Sequence, residues 1–263
     1  MMLQRAPVQL LPAEPLDGMT TPGGTVRAGI LRRDASDGNP CGVSFWPAGA
    51  HSIREVDLTR RLLAARLGAR SADFRLLRQE HGTRIRVHAG SGAAASPEPI
   101  RTGDGQVTGV AGPVLVVNTA DCCPVILMDP AGPVVGIAHA GWRGTAEGIV
   151  ERLLEVMVEQ GASRSSCRAW IGPCADGEHY EIGAEVAERF GNWPDALRPH
   201  PGAPGRWLLD LALVNYAQLG TAGLAPGHIA TSAAGTIADR RFHSHRRDRF
   251  RAGRMAAFIT LRA

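Results

Sequence analysis

Lysine is absent from this chain: all 29 basic side chains are arginine. With no side-chain amine to form a Schiff base, that branch of covalent catalysis is excluded. No G-x-G-x-x-G run follows an apolar strand pattern and no Walker A sequence occurs, so dinucleotide-fold and P-loop chemistry are not expected. No apolar run reaches the roughly 18 residues of a membrane span. The opening MMLQRAPVQLLPAEPLDG lacks the long apolar core of an export signal, so neither a membrane nor export is expected. Self-similarity at periods of roughly 20–50 residues is missing too, which excludes a solenoid. Cysteine is sparse: the five, at positions 41, 122, 123, 167 and 174, are odd in number and two are adjacent. A disulfide framework is therefore not expected, and a reducing, cytoplasmic setting fits. The net charge is only +4 and the arginines are scattered until Arg240–Arg254, so nucleic acid is not an expected partner.

What is present suffices for one large domain. At 263 residues with 44% hydrophobic content, the chain can bury a full core. Residues 1–24, rich in proline and glycine and without period, read as an irregular lead-in, and 25–263 as the domain. Strand patterns fall at Thr25–Leu31, Arg75–Leu77, Ile85–His88, Ala169–Ile171, His228–Ser232 and Ala256–Leu261. Helical spacing marks Ile53–Leu67, ended by Gly68, and also Glu181–Phe190 and Leu208–Ala222. Ser91–Pro99 and Asn192–Arg206 read as loops. Strands and helices alternate irregularly, and hairpin-like spacing around Asp129 implies antiparallel pairing. The expected fold is α/β (α+β): a single-domain, mixed β-sheet sandwich flanked by helices rather than a doubly wound parallel sheet.

The stretch Val114–Glu159 concentrates the chemistry. Val114–Asn118 and Pro124–Met128 read as strands flanking Ala120-Asp121-Cys122-Cys123, which holds a thiol and a carboxylate where one strand gives way to the next. After the turn Asp129-Pro130-Ala131-Gly132-Pro133, a strand over Val134–Ala138 delivers His139, then Gly141-Trp142-Arg143-Gly144. An amphipathic helix follows, with Ile149, Leu153, Val156 and Met157 in its stripe. A helix N-terminus offers unpaired N–H groups, the glycines let the backbone approach, and Arg143 adds a guanidinium fork, so Arg143 and Gly144 read as an anion site. Cys122 and His139 stand beside it as a metal-binding or nucleophilic pair, against the plainer reading of a core thiol and a satisfied buried histidine. Cys123 is expected to face the opposite side of the strand, into the core.

Upstream, Gln79-Glu80-His81-Gly82 sets a second histidine at a strand end, where a structural role is the commoner one. Thr102-Gly103-Asp104-Gly105 reads as a turn with Asp104 as its turn-former. His81, Cys122 and His139 together supply two imidazoles and a thiolate, a donor set suited to Zn²⁺ with a fourth position left for water. Their wide spacing matches no compact zinc finger, so only the fold could bring them together.

Six motifs follow one another: Gln79-Glu80-His81-Gly82, then Gly103-Asp104-Gly105-Gln106-Val107-Thr108, then Ala120-Asp121-Cys122-Cys123-Pro124-Val125, then His139-Ala140-Gly141-Trp142-Arg143-Gly144, then Ile171-Gly172-Pro173-Cys174 with Tyr180-Glu181-Ile182-Gly183, and last Phe242–Asp248 with Gly253-Arg254-Met255. In this order they resemble the bacterial laccase-domain or polyphenol-oxidase family, whose members are regarded as purine nucleoside phosphorylases. The resemblance implies that His81, Cys122 and His139 ligate zinc. It also implies cleavage of adenosine, inosine or guanosine with inorganic phosphate to base and ribose 1-phosphate, with adenosine deamination as a companion activity. The chain departs from the family pattern at His245, where an aromatic is usual, and at Gly235-Thr236, where Cys-Thr is usual. The N-terminal signature is reduced to Arg32-Arg33-Asp34-Ala35-Ser36 and Val43-Ser44-Phe45.

Phosphate is expected at Arg143 and Gly144 with help from Arg246 and Arg247, whose plainer reading is a solvated surface pair. Asp121 or Glu80 is the expected proton carrier. The partners are then a purine nucleoside and phosphate, with the chain acting as monomer or homodimer. Other readings stay open: a metal-free hydrolase with Cys122 as nucleophile and His139 as base, copper in place of zinc for phenol oxidation, and a cell-wall precursor editing factor that leaves purines unaltered.

Overall fold

The computed structural model describes residues 9–33, 44–47, 51–89 and 100–263. The loop expected at 91–99, positions 34–43 of the N-terminal signature, and Cys41 lie outside the described residues.

Strand Val114–Thr119 shows how two-residue alternation becomes layers, since successive side chains leave a strand on opposite faces. Leu115 and Val117 enter one apolar cluster with Val26, Ile30, Ala257 and Ile259, while Val114 and Val116 enter another with Leu63, Phe74 and Phe258. This strand belongs to a first sheet whose neighbours run Leu10–Pro12, Gly24–Leu31, Met255–Arg262, Val114–Thr119 and Phe74–Arg75, with Thr20–Thr21 also on Gly24–Leu31. The second sheet runs Ile229–Thr231, Arg168–Ile171, Cys123–Met128, Val135–Ala140, Gly105–Thr108 and Ile85–His88. Its centre is the antiparallel hairpin around Asp129, with Ile126 opposite Ile137. Parallel pairings occur where Ile85–His88 meets Gly105–Thr108 and Ile229–Thr231 meets Arg168–Ile171.

The inner faces of the two sheets meet in the cluster that joins Val26, Leu115 and Ile259 to Ile126, Met128, Ile137 and Trp170. Helix Ile53–Arg66 covers the outer face of the first sheet. Helices Ile149–Glu159 and Leu211–Thr221 cover the outer face of the second. The result is the expected sandwich of mixed sheets flanked by helices. Helix Ile149–Glu159 buries Ile149, Val150, Leu153, Leu154, Val156 and Met157, each contributing about 1.5–3 kcal/mol of transfer free energy. Helix Ile53–Arg66 starts at Ser52, whose hydroxyl and Glu55 form a reciprocal capping box.

Several element boundaries differ from the sequence reading, each for an identifiable reason. The lead-in is not wholly irregular, because Leu10–Pro12 and Thr20–Thr21 complete the edge of the first sheet. The helix expected over Glu181–Phe190 begins as a strand, Glu181–Gly183, because it pairs with Arg206–Leu209, and helix occupies only Ala184–Ala187 before a 3₁₀ turn. The helix expected over Leu208–Ala222 starts at Leu211, since the Asp210 carboxylate accepts the Leu213 N–H (2.9 Å) and fixes the start there. Arg75–Leu77 divides into Phe74–Arg75 and Leu77–Arg78, which join different sheets. Strand Val135–Ala140 runs two residues past the expected end, so His139 lies within the strand.

Candidate metal centre and its cleft

Asp104, read from sequence as a turn-former, is the buried anchor of the site. Its carboxylate accepts the backbone N–H groups of Glu80 (3.1 Å), His81 (2.9 Å) and Gly82 (2.9 Å) and stands 2.9 Å from His139 Nδ1. An ionised carboxylate can only accept, so Nδ1 of His139 carries the proton and Nε2 is the nitrogen turned to other work. The His139 backbone N–H also donates to the Asp104 carbonyl (2.7 Å), which locks the two strands at this point. Burial pushes the Asp104 carboxyl up, but the His139 ring and the Gly82 and Glu80 N–H groups outweigh it and hold it below the ordinary range. The Gly-Asp-Gly run was the signal in the sequence; its role depended on which loop it would grip.

The grip positions His81, which sits at φ 61, and Asp121, which precedes Cys122, sits at φ 88. Each left-handed non-glycine residue costs on the order of 1–3 kcal/mol and persists where neighbours over-determine it. For Asp121 those neighbours are the Thr236 hydroxyl (2.7 Å) and the Arg246 N–H (2.6 Å) on its carboxylate, and the Ala175 N–H (2.8 Å) on its carbonyl. With both loops held, the ligand atoms of His81, Cys122 and His139 lie within 4.8 Å of one another, and the two rings meet edge to face at 4.9 Å. Gly141 closes the cradle: a Cβ there would stand 3.0 Å from both Cys122 Sγ and His81 Cδ2.

Burial pushes the Cys122 thiol up, but the His139 and His81 rings outweigh it and bring it down to about 6. Burial pushes His139 down, and the Cys122 thiolate and Asp104 carboxylate overcome that and lift it to about 9. Without metal the pair is thus a thiolate beside an imidazolium. The neighbouring Cys123 is fully buried in the helix-side core, as expected, and burial with Cys174 beside it pushes its thiol well above the usual value. Two imidazoles and a preformed thiolate are borderline-soft donors, and they fit a zinc or copper ion.

The three side chains open on a cleft of about 650 Å³ that Asn118, Asp121, Trp142, Arg143, Tyr180 and Arg246 also line. Arg143 stacks on Trp142 (4.2 Å) and Arg246 on Tyr180 (5.1 Å). Other expected site residues fall elsewhere. Glu80 is exposed and outside the lining, and it reaches the site only through its backbone N–H on Asp104. Gly144 is buried within the short helix Trp142–Ala146. Arg247 does not line the cleft, because its guanidinium donates to the carbonyls of Thr236 (2.7 Å) and Phe242 (2.8 Å) and to Asp248 (2.7 Å). Arg254, given no role from sequence, does line it, half-buried, with burial depressing its pKa against the pull of Cys122 and Asp121.

The whole chain is similar to known proteins. A purine nucleoside phosphorylase from Deinococcus radiodurans is 40% identical over 213 residues, covering 79% of this chain and 78% of that protein. A protein named adenosine deaminase RL5, from an unknown prokaryotic organism, is 34% identical over 217 residues, covering 79% of this chain and 80% of its own. The crystal structure of Bacillus licheniformis hypothetical protein YfiH matches with a TM-score of 0.84 at 29% identity, over 98% of this chain and 97% of that one. The family model described as multi-copper polyphenol oxidoreductase laccase matches residues 49–262, and the chain belongs to that family.

Proposed function

We propose that this protein is a zinc-dependent purine nucleoside phosphorylase that cleaves adenosine, and also inosine or guanosine, with phosphate to base and ribose 1-phosphate, and that it also deaminates adenosine. One observation carries the reading: His81, Cys122 and His139 converge within 4.8 Å in a cleft lined by Arg78, Arg143, Arg246 and Arg254. The names of relatives at 40% and 34% identity support a nucleoside substrate. A cleft of about 650 Å³ lies within the roughly 300–1,000 Å³ of small-molecule sites.

Held by His81, Cys122 and His139, zinc would supply a Lewis acid for a substrate oxygen and a water of lowered pKa for deamination. The arginines would bind phosphate and set it against the anomeric carbon, where their fixed charge meets the charge that develops in the transition state. Asp121 accepts the Thr236 hydroxyl and the Arg246 backbone N–H, one on each carboxylate oxygen, and keeps a lone pair on both, so it would hold Arg246 in place and carry the proton that the reaction moves. Zinc is favoured over copper because four-electron oxygen chemistry needs more than one copper site, and among the described residues these three make the one such group. The four described cysteines are free thiols, which fits a reducing, cytoplasmic setting.

A second reading has its own observation: a Cys122 thiol at about 6 beside His139 is also what a metal-free cysteine hydrolase would need. Product analysis separates them. Adenosine should yield adenine and ribose 1-phosphate only with phosphate present, with activity lost on chelation and restored by zinc. Chelator-resistant activity that disappears in Cys122→Ser would establish the hydrolase instead, and no turnover of any purine nucleoside by zinc-loaded protein would sink the phosphorylase.

A further inference from the structure

We propose that Trp46, Leu77 and Asn118 form the purine subsite of the cleft, with the Asn118 side-chain amide reading the 6-amino edge of adenine; the proposal rests on the nucleoside reading above. All three line the cleft, and adjacent segments bring them together. Phe45 packs edge-on against Phe74 (5.3 Å), and Arg60 donates to the Phe45 carbonyl (3.2 Å), which fixes Trp46 next along the chain. Strand Phe74–Arg75 pairs in parallel with Val114–Thr119, so both strands run toward the same end of the sheet, where Leu77 follows one and Asn118 lies near the end of the other. The Gln79 amide then clamps the Asn118 backbone from both sides, accepting its N–H (2.7 Å) and donating to its carbonyl (2.9 Å).

The clamp leaves the Asn118 side chain to itself. Asn118 is 7% exposed, and its Oδ1 is buried with no hydrogen-bond partner among the described residues. An acceptor stripped of water and left unpaired is costly, and such groups persist where a ligand completes them. A carboxamide presents an acceptor and a donor side by side, the complement of the N6–H and ring-nitrogen edge of adenine. The other aromatic surfaces of the cleft, Trp142 and Tyr180, already carry the guanidiniums of Arg143 and Arg246. The part of the cleft around Arg143 and Arg246 suits phosphate and ribose, while Trp46 has the Arg60 guanidinium at a longer distance (5.8 Å) and its half-buried indole, with buried Leu77, offers apolar surface to a flat base.

The test compares binding of adenine and unsubstituted purine by calorimetry, because a free base undergoes no phosphorolysis to disturb the measurement. Wild-type protein should prefer adenine by roughly tenfold or more, since a site built to hydrogen-bond a group rejects the analogue lacking it. Asn118→Leu should lose that preference while binding purine as before, and Trp46→Ala should weaken both bases alike. Melting temperature and zinc affinity, measured in parallel, check that each variant is folded, and the wild-type comparison needs no variant at all. Equal binding of the two bases by wild type, binding of neither, or an adenine preference that survives Asn118→Leu overturns the proposal. Failure of this idea and of the phosphorylase reading are distinguishable: phosphorolysis of adenosine with unaltered KM in Asn118→Leu overturns only the subsite, while selective adenine binding without phosphorolysis overturns only the activity.

Discussion

Cys122 and Cys123 differ by one position in the chain and by which side of a strand end each meets. Cys122 faces two imidazoles that favour its thiolate, whereas Cys123 faces apolar core and another thiol. The thiolate is the alkylating nucleophile, so reactivity is present above a thiol's pKa and is lost as pH falls through it. In metal-free protein, Cys122 should therefore keep half-maximal labelling by iodoacetamide near pH 6, while Cys123, and Cys167 at about 12, stay unlabelled to pH 8. Peptide mass spectrometry across pH checks this, and a midpoint near that of an ordinary thiol would count against the thiolate. Asp104 works through its neighbours: Asp104→Asn puts an N–H₂ among groups that donate to it. Zinc affinity should fall by about 10–100-fold, as for other partners that orient metal-bound histidines. Competition with a chromophoric chelator measures it; an unchanged constant would show that the loop and His139 are held by other means.

At the scale of elements, the turn between Val135–Ala140 and the helix Trp142–Ala146 closes over the candidate metal centre. Gly141 has φ −71, a value open to any residue, so its small size rather than its flexibility is what the site uses. Alanine at a compatible backbone position normally stabilises by about 0.4–1 kcal/mol. Gly141→Ala should instead weaken zinc binding, because its Cβ would press on Cys122 Sγ and His81 Cδ2. Thermal unfolding of metal-free and zinc-loaded forms separates the two effects, and equal zinc stabilisation in variant and wild type would refute the clash. Arg143, exposed on the same short helix, is free to meet a ligand. Arg143→Ala should raise the KM for phosphate roughly tenfold or more, matching loss of a charge-assisted contact of about 1.5–3 kcal/mol. A normal phosphate KM would place the anion elsewhere in the cleft.

At the scale of the molecule, the last strand holds the sandwich together. Met255–Arg262 lies between Gly24–Leu31 and Val114–Thr119 and pairs with both. Its Ala257, Ile259 and Leu261 enter the core between the sheets, and Ala256 and Phe258 enter the core under helix Ile53–Arg66. Removing residues 255–263 takes from Gly24–Leu31 and Val114–Thr119 their longest ladders, leaving each only short pairings, and opens both cores, so the truncated chain should show no cooperative unfolding transition by circular dichroism. A native-like melt of that chain would mean the first sheet can close without its central strand. The same strand follows Arg254 directly, which ties the cationic wall of the cleft to the most heavily paired part of the fold.

What the residues determined by themselves was whatever neighbours along the chain decide. The helical spacing over Ile53–Leu67 ended by Gly68, the stripe Ile149, Leu153, Val156 and Met157, and the apolar run Val114–Asn118 are local patterns, and the structure keeps all three to within a residue. The donor types at His81, Cys122 and His139 were legible for the same reason, since residue type alone fixes which donor atoms a side chain carries, whereas the thiolate character of Cys122 came from its partners. Tertiary structure decided what depends on distant partners. Glu181–Gly183 became a strand because Arg206–Leu209 lay beside it, and Arg247 turned from the cleft because carbonyls of Thr236 and Phe242 took its guanidinium. Asp104 became an anchor rather than a turn-former because the Glu80–Gly82 loop and His139 closed on one buried carboxylate. Such contacts gain their energy only once the chain has brought remote segments together, and no periodicity within a single segment records which segments those will be.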